Sequence, residues 1–234
     1  MIDYTSIRAF WESRSRRATE RPESLVNFEE DGLRLREKVA GETRAVMPLL
    51  ELGPGVRILD MGAGYGQWAL RFAPSARSVT AVDYQQNFLE RGRESAEKAH
   101  LHNIEFVQSP VEAYIPDNTF DRIFFSGIFV HLADDLIRRM LANVLPALHV
   151  DGLVILREPT SILQDSYMLD RIYSKALDCE YSALYRTASQ FKTLFADFGL
   201  SCRKEGQIFP EGSSQNKFPE TRLRYYTFGK REER

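Results

Sequence analysis

Cysteine is scarce in this chain: Cys179 and Cys202 are the only two. They provide neither a disulfide framework nor the spacing of metal ligands, so we expect no structural zinc. No apolar run approaches the roughly 18 residues that a membrane-crossing helix needs. The first residues also lack the basic region followed by an apolar region that marks a signal peptide. We therefore expect a cytoplasmic protein that does not enter a membrane.

An excess of basic residues is missing as well. The 31 lysines and arginines nearly balance 33 aspartates and glutamates, which leaves a formal net charge of -2. Proteins that bind nucleic acid through bulk electrostatics usually show a clear basic excess, so we expect no nucleic-acid partner. What the chain does contain is 43% hydrophobic residues over a length of 234. That is enough for the core of a single domain spanning residues 1–234.

Short apolar runs alternate with helical patterns through most of the chain. The runs predict five strands, at 56–59, 78–82, 104–107, 120–125 and 153–156. Such alternation is typical of a parallel sheet covered by helices on both faces. Two further strands, at 204–209 and 222–228, have only a loop between them and should pair antiparallel. The sequence thus predicts an α/β fold with a doubly wound, seven-stranded, mostly parallel sheet.

The first strand runs into a glycine-rich turn in the sequence ILDMGAGYGQ. Such a turn lets the backbone approach a ligand closely. Gly62, Gly64 and Gly66 have the spacing GxGxG, and Gln67 occupies the position where a dinucleotide fingerprint has its third glycine. Asp60, just before the turn, would repel a pyrophosphate and attract an ammonium group; alternatively, it caps the following helix.

A second acidic residue, Asp83, ends the next predicted strand, 21 residues beyond Gly62. Neighbouring parallel strands end at the same edge of a sheet, so this carboxylate can accept hydrogen bonds from both hydroxyls of a ribose. The two acids together indicate a ligand with a ribose and a cation but no phosphate. S-adenosylmethionine (SAM) fits this description.

Five segments in order resemble the motifs of the class I SAM-dependent methyltransferases: VRILDMGAGYGQ, VTAVDYQ, FVQSPVEAYIP, FDRIFFSGIFVHL and LPALHVDGLVILRE. The resemblance covers roughly residues 55–158. It implies a Rossmann-like methyltransferase fold with an antiparallel C-terminal strand, and SAM as the cofactor. The positions that it assigns to SAM binding are Asp60, Gly62, Gly64, Gly66, Gln67, Asp83, Tyr84, Pro110, Val111 and Ser126.

The resemblance also implies a role for several of these residues. The three glycines would line the methionine half of SAM, where Ser126 would also make contact, and Asp60 would hold the amino group through the turn backbone. Asp83 would bind the ribose, and Tyr84 would pack on the adenine. Pro110 stands where many family members have an acid for the adenine amino group. Ser109, Glu112 or the backbone around Val111 must then make that contact.

Two segments, 1–31 and 159–186, exceed what this fold needs. Both carry aromatic or basic side chains: Tyr4, Phe10, Trp11, Tyr167, Tyr173, Tyr181, Tyr185 and Arg186. We expect them to lie over the carboxyl ends of the strands as a lid and acceptor pocket, with aromatic faces that suit a sulfonium or an amine. The alternative is that Leu163, Met168, Ile172 and Tyr173 only pack a helix.

Methyl transfer mainly requires alignment of the reactants, which supplies roughly 7–11 kcal/mol. A general base is needed only if the acceptor must lose a proton. The candidate catalytic residues are His131, Tyr185 and Arg186; the alternative for His131 is a structural role. Arg157 and Glu158 end the fifth strand beside the cleft, and either could touch the acceptor.

Several acceptor classes are disfavoured by the segment after the fourth strand. Its sequence SGIF differs from the (Asp/Asn)-Pro-Pro-aromatic motif of enzymes that modify nucleobase amino groups, and no cysteine nucleophile or metal-binding acid cluster is near. We expect methyl transfer from SAM to a small molecule, as in natural-product biosynthesis. The alternatives are cyclisation of the aminobutyrate chain of SAM, which releases methylthioadenosine, and a non-catalytic SAM-binding protein.

Overall fold

The computed structural model describes residues 4–16, 23, 26, 29, 31–174 and 179–230. The helices in these ranges are α1 (Tyr4–Arg16), α2 (Gly32–Val46), α3 (Ala69–Phe72), α4 (Gln86–Lys98), α5 (Asp134–Val144) and α6 (Ala188–Ala196). The strands are β1 (Arg57–Met61), β2 (Ser78–Asp83), β3 (Ile104–Gln108), β4 (Phe120–Ser126), β5 (Leu148–Ser161), β6 (Tyr167–Ser174), β7 (Cys179–Tyr185), β8 (Leu200–Gln207) and β9 (Thr221–Lys230). No helix in this described part of the chain is both long and apolar enough to cross a membrane.

One sheet organises the domain, with the strand order β3-β2-β1-β4-β5-β9-β8. Strands β1 to β5 pair in parallel, and β9 pairs antiparallel with both β5 and β8. This arrangement confirms the predicted fold class, including the antiparallel C-terminal strand. Sequence order reverses direction between β1 and β4, and a crevice forms there at the carboxyl ends of the parallel strands.

Both faces of the sheet are buried, as a parallel sheet requires. On one face Leu59, Phe125 and Leu156 pack against α5 and α6. On the other face Ile58 and Phe124 pack against the helices on either side of β1. Because successive side chains of a strand point to opposite faces, a continuous apolar run supplies side chains to the cores on both faces of the sheet.

Most predicted elements lie where the sequence indicates, but β5 is longer than predicted and the lid segment contains a hairpin. The predicted capping box of α6 is confirmed: the Gln190 backbone N–H donates to Thr187 Oγ1 at 3.2 Å, and the Thr187 N–H donates to Gln190 Oε1 at 2.8 Å. Strand β5, however, extends well beyond the predicted residues 153–156. It stays extended because β9 pairs with it as far as Ser161, opposite Thr221.

The segment predicted as a lid contains an antiparallel hairpin, β6–β7. The alternative reading of Met168, Ile172 and Tyr173 as helix-packing residues is wrong, since all three lie on β6 and are about half exposed. Leu163, assigned to the same helix, lies in the loop before β6 and is also exposed. The apolar residues of this segment are spaced ambiguously between helix and strand. The segment forms a strand because it pairs with β7.

Candidate functional site

The glycine turn after β1 adopts a backbone conformation that is unfavourable for residues other than glycine. Gly62, Gly64 and Gly66 have φ angles of +71°, +58° and +79°, in the left-handed region that glycine tolerates best. The backbone N–H groups of Gly62 and Ala63 both donate to the carbonyl oxygen of Val82, at 2.8 and 2.9 Å. The turn is therefore tied to the end of β2.

Asp83 links the two strand ends through its carboxylate. Its Oδ2 accepts from the Gly64 backbone N–H at 2.8 Å, and its Oδ1 accepts from the Gln85 N–H at 2.9 Å. An ionised carboxylate has about four acceptor positions, so both oxygens retain capacity for a ligand. Burial raises the pKa of Asp83 to about 6, while the backbone hydrogen bonds oppose that shift. The group is thus a buried, ionised acceptor at neutral pH.

A cavity of about 560 Å³ opens from this turn across the carboxyl ends of β1, β4 and β5. Its volume lies within the range of small-molecule sites. Of the predicted site residues, those that line it are Gly62, Gly64, Gln67, Asp83, Tyr84, Val111, Ser126, His131 and Tyr185. Asp60, Gly66, Pro110 and Arg186 are not among its lining residues.

Asp60 and Gly66 lie beneath the turn. Asp60 is almost completely buried and accepts a hydrogen bond from the backbone N–H of Ala69, the first residue of α3. Burial raises its pKa to about 7. This geometry matches the helix-capping alternative for Asp60. At Gly66 a Cβ atom would come within 2.7 Å of Phe106 Cε1, so this glycine permits close packing.

Arg186 binds the segment that follows β4 on the side away from the cavity. Its guanidinium donates to the carbonyl oxygens of Phe129 and Leu132 at 2.7 and 2.8 Å, and to Asp134 Oδ1 at 2.9 and 2.6 Å. The side chain is buried against these partners and faces them rather than the cavity. The structure therefore places Arg186, a predicted catalytic residue, in a supporting position.

The expected adenine end of the cavity is formed by Tyr84 and Val111. Arg8 of α1 lies over the Tyr84 ring, with 5.2 Å between its Cζ atom and the ring centroid. Of the three alternatives for the adenine amino group, only Val111 lines the cavity, whereas Ser109 and Glu112 do not. Ser109 Oγ donates instead to the Pro110 carbonyl at 3.0 Å.

His131 and Tyr185 also line the cavity. Burial lowers the pKa of His131 to about 4, so its imidazole is neutral at neutral pH and poorly matched to proton abstraction there. Trp11 of α1 makes an edge contact with the His131 ring, at a centroid distance of 5.4 Å. Tyr185 stacks on Tyr167 at 5.9 Å, within the hairpin.

Both predicted cover segments contribute to the cavity. Ile7, Trp11 and Val26 line it from the N-terminal segment; the hairpin lines it through Leu169, Ile172, Tyr173 and Tyr185. Phe10 of α1 is not a lining residue. The side chains of Tyr4 and Tyr181 lie outside the described ones.

Sequence reasoning missed a third contributor, the loop between β8 and β9. Phe209, Gln215, Asn216, Lys217 and Phe218 line the cavity from this loop, and Lys38 lines it from α2. No spacing signal points to these positions, because the loop reaches the site through the antiparallel pairing of β9 with β5. Of the three described basic residues that line the cavity, the sequence pointed only to Arg157, which lies within β5 because that strand continues to Ser161.

The comparisons with known proteins agree with this geometry. Residues 58–152 match a family described as a methyltransferase domain. The demethylmenaquinone methyltransferase of Listeria welshimeri is 32% identical over 108 residues, which make up 44% of this chain and 42% of that protein. The chain therefore spans less than half the length of this curated relative.

Two solved structures are similar over nearly the whole chain. DhpI in complex with S-adenosylhomocysteine (SAH) has a TM-score of 0.67 at 19% identity, with 97% of this chain and 98% of that chain covered. Phosphoethanolamine N-methyltransferase 1 of Haemonchus contortus has a TM-score of 0.72 at 17% identity, with 99% of this chain and 50% of that chain covered. At these identities the likeness is one of fold.

Proposed function

We propose that the protein transfers a methyl group from SAM to a small-molecule acceptor, on the premise that residues 58–152, which match a methyltransferase domain, work as in the class I SAM-dependent enzymes that they resemble. The observation that carries the proposal is the joint position of Gly64 and Asp83. Both line the same cavity, and the backbone of one donates to the carboxylate of the other at 2.8 Å. This pairing puts a carboxylate that can accept hydrogen bonds from the ribose hydroxyls next to a turn whose backbone a ligand can approach closely.

The turn fits SAM in a specific respect. A Cβ at Gly64 would meet no protein atom closer than 3.5 Å, that of Val26 Cγ1, so a side chain there would enter the cavity. The glycine thus preserves room beside Asp83. When bound, SAM supplies an electrophilic methyl group on a sulfonium. The chain's own contribution is to accept the ribose hydroxyls at Asp83 and to exclude water beneath the hairpin and α1.

The residues around the acceptor end favour a nucleophile that needs no strong base. His131 stays neutral down to a pH of about 4, so it serves better as a hydrogen-bonding or packing group than as a general base. Trp11, Tyr173 and Tyr185 give the cavity aromatic faces, which suit amines and other cations. We place the acceptor among small metabolites of the kind methylated in natural-product biosynthesis.

The test combines binding and product analysis. SAH should bind to the protein in calorimetry, and labelled SAM with a metabolite extract should yield SAH and a labelled acceptor. Methylthioadenosine formed from SAM alone would instead indicate cyclisation of its side chain. Binding without either product would indicate a non-catalytic SAM-binding protein. Either of these two results would overturn methyl transfer.

A pair of glycine variants distinguishes two causes of weaker SAH binding: a side chain that occupies the cavity, and backbone strain alone. Gly64 and Gly199 both have positive φ angles, +58° and +75°, but Gly199 has open space around its Cβ position and lies after α6. Both Gly64→Ala and Gly199→Ala impose similar strain, about 1–2 kcal/mol. Only Gly64→Ala should weaken SAH binding. Equal effects of the two variants would contradict the proposed position of the cofactor.

A further inference from the structure

Three basic side chains line the cavity at the end away from Asp83. Lys38 comes from α2, Arg157 from β5, and Lys217 from the β8–β9 loop. Asp83 is the single acidic residue among the described residues that line the cavity. The two ends of the cavity therefore have opposite charge.

The carboxylates that accompany these cations lie behind the cavity wall. Glu42 accepts from Arg157 at 2.5 Å and lies 4.0 Å from the Lys38 ammonium, and Glu29 pairs with Lys217 at 2.7 Å. Neither glutamate lines the cavity. The cavity surface at this end is therefore basic, with these two carboxylates set behind it. Burial lowers the pKa of Lys38 to about 8, and the charge of Glu42 opposes this shift.

The strand order places this charge on the acceptor side. Asp83 ends β2 and Arg157 lies on β5, three strand spacings away in the order β2-β1-β4-β5. At about 4.8 Å per spacing the two strands are roughly 14 Å apart. Arg157 Nη1 donates to Ser126 Oγ at 3.2 Å, at the end of β4. The cations therefore lie beyond the glycine turn, where an acceptor would approach.

We propose that Lys38, Arg157 and Lys217 form a subsite for an anionic group of the acceptor, a carboxylate or a phosphate-type group. This inference rests on the proposed function, because it assumes that the Asp83 end holds the nucleoside. Burial strengthens such a subsite, since charge-assisted hydrogen bonds gain strength where water is excluded. Arg157 Nη1 and Nη2 each carry a second N–H besides those donated to Ser126 and Glu42, and a guanidinium suits both kinds of oxyanion.

The competing source of the same chemistry is the carboxylate of SAM itself. If that group occupied the subsite, a bound SAH molecule would exclude any other anion from it. If the acceptor provides the anion, the subsite stays accessible in the SAH complex. Inorganic phosphate is a probe that distinguishes the two cases.

The experiment titrates phosphate into the SAH-saturated protein at low ionic strength, with calorimetric detection. The variants are Lys38→Met and Lys217→Met, both of which leave the Glu42–Arg157 pair in place. The matched control is Lys192→Met on α6, whose ammonium pairs with Glu205 away from the cavity. We expect phosphate to bind the wild-type SAH complex, and each cavity variant to weaken that binding about tenfold, as for one lost charge-assisted hydrogen bond. The control should bind phosphate as the wild type does.

Two outcomes would overturn the inference. Exclusion of phosphate by SAH, together with weaker SAH binding in Lys38→Met, would assign the subsite to the carboxylate of the cofactor. Equal phosphate binding by the wild type and both cavity variants would show that these lysines do not bind the anion. In either case SAH binding by the wild type would still support the proposed function, so the two failures are distinguishable.

Discussion

Replacement of Asp83 by asparagine tests the cofactor end of the site most directly. The carboxylate accepts the Gly64 N–H at Oδ2 and the Gln85 N–H at Oδ1, at 2.8 and 2.9 Å, so an asparagine keeps an acceptor for only one of them. It loses the charge, one backbone hydrogen bond and acceptor capacity for the ribose. A hydrogen bond to a charged group contributes about 1.5–3 kcal/mol, so SAH should bind roughly 10- to 150-fold more weakly.

The assay is calorimetric titration of SAH and of its 2′,3′-dideoxy analogue into the wild type and Asp83→Asn. The wild type should prefer SAH strongly, because only SAH has the ribose hydroxyls. The variant should discriminate much less, and the difference between the two preferences gives the coupling between carboxylate and ribose. Asp151→Asn, in an exposed position on β5, is the matched control for the change of residue type.

A pH series adds an independent check of the same group. Burial places the pKa of Asp83 at about 6 in the free protein, and ribose binding favours the ionised form. SAH affinity should therefore fall as the pH drops through 6, and at pH 5 it should be about tenfold lower, since roughly one carboxyl in eleven is then ionised. Asp83→Asn should remove this dependence. Undiminished SAH affinity in the variant, with the same pH profile, would refute the assignment.

Three further changes test the scaffold. Gly62→Ala should destabilise the fold by about 2–5 kcal/mol in urea unfolding, because its Cβ would lie 2.3 Å from Ile128 Cγ2 at a positive φ; Gly62→Ala combined with Ile128→Ala should recover part of the loss. Burial raises the pKa of Glu158 to about 7, so the folded state keeps a proton that the unfolded state has lost, and stability should fall between pH 4.5 and 7. Glu158→Gln should remove that fall and be up to about 3 kcal/mol more stable than the wild type at pH 8, with no advantage near pH 4. Arg186→Met should cost about 2–6 kcal/mol of unfolding free energy, because two buried carbonyl groups lose their donor at about 1–3 kcal/mol each. The folded variant should still bind SAH; a stable variant that cannot bind SAH would contradict the supporting role.

The cofactor end of the site could be predicted from sequence because its signals are local. Gly62 and Gly64 follow directly after one strand, Asp83 ends the next, and parallel pairing of β1 with β2 is enough to bring them together. Asp60 illustrates the limit of such reasoning. A carboxylate just before the turn can attract the amino group of a ligand or cap the following helix. Its side chain is directed toward Ala69 because of how α3 packs.

The acceptor end could not be predicted in the same way, because its residues meet only through the tertiary structure. Lys38 and Lys217 are far apart in sequence, and they line the same cavity as Arg157 because α2 and the β8–β9 loop converge on β5. Arg186 shows the reverse case. Its place in an insertion beside the cleft suggested chemistry, but its guanidinium satisfies two carbonyl groups behind the cavity wall.

This difference in origin has a physical consequence for how the two ends can vary. Substitution at Gly62 or Asp83 disturbs backbone geometry and a buried carboxylate on which the turn depends. Substitution at Lys217 or Ile172 alters side chains that are partly exposed and belong to a loop and a hairpin outside the main parallel strands. Loops and hairpins tolerate change better than the core that positions them. If the protein acts as proposed, the choice of acceptor depends on segments that can be altered without loss of the cofactor end.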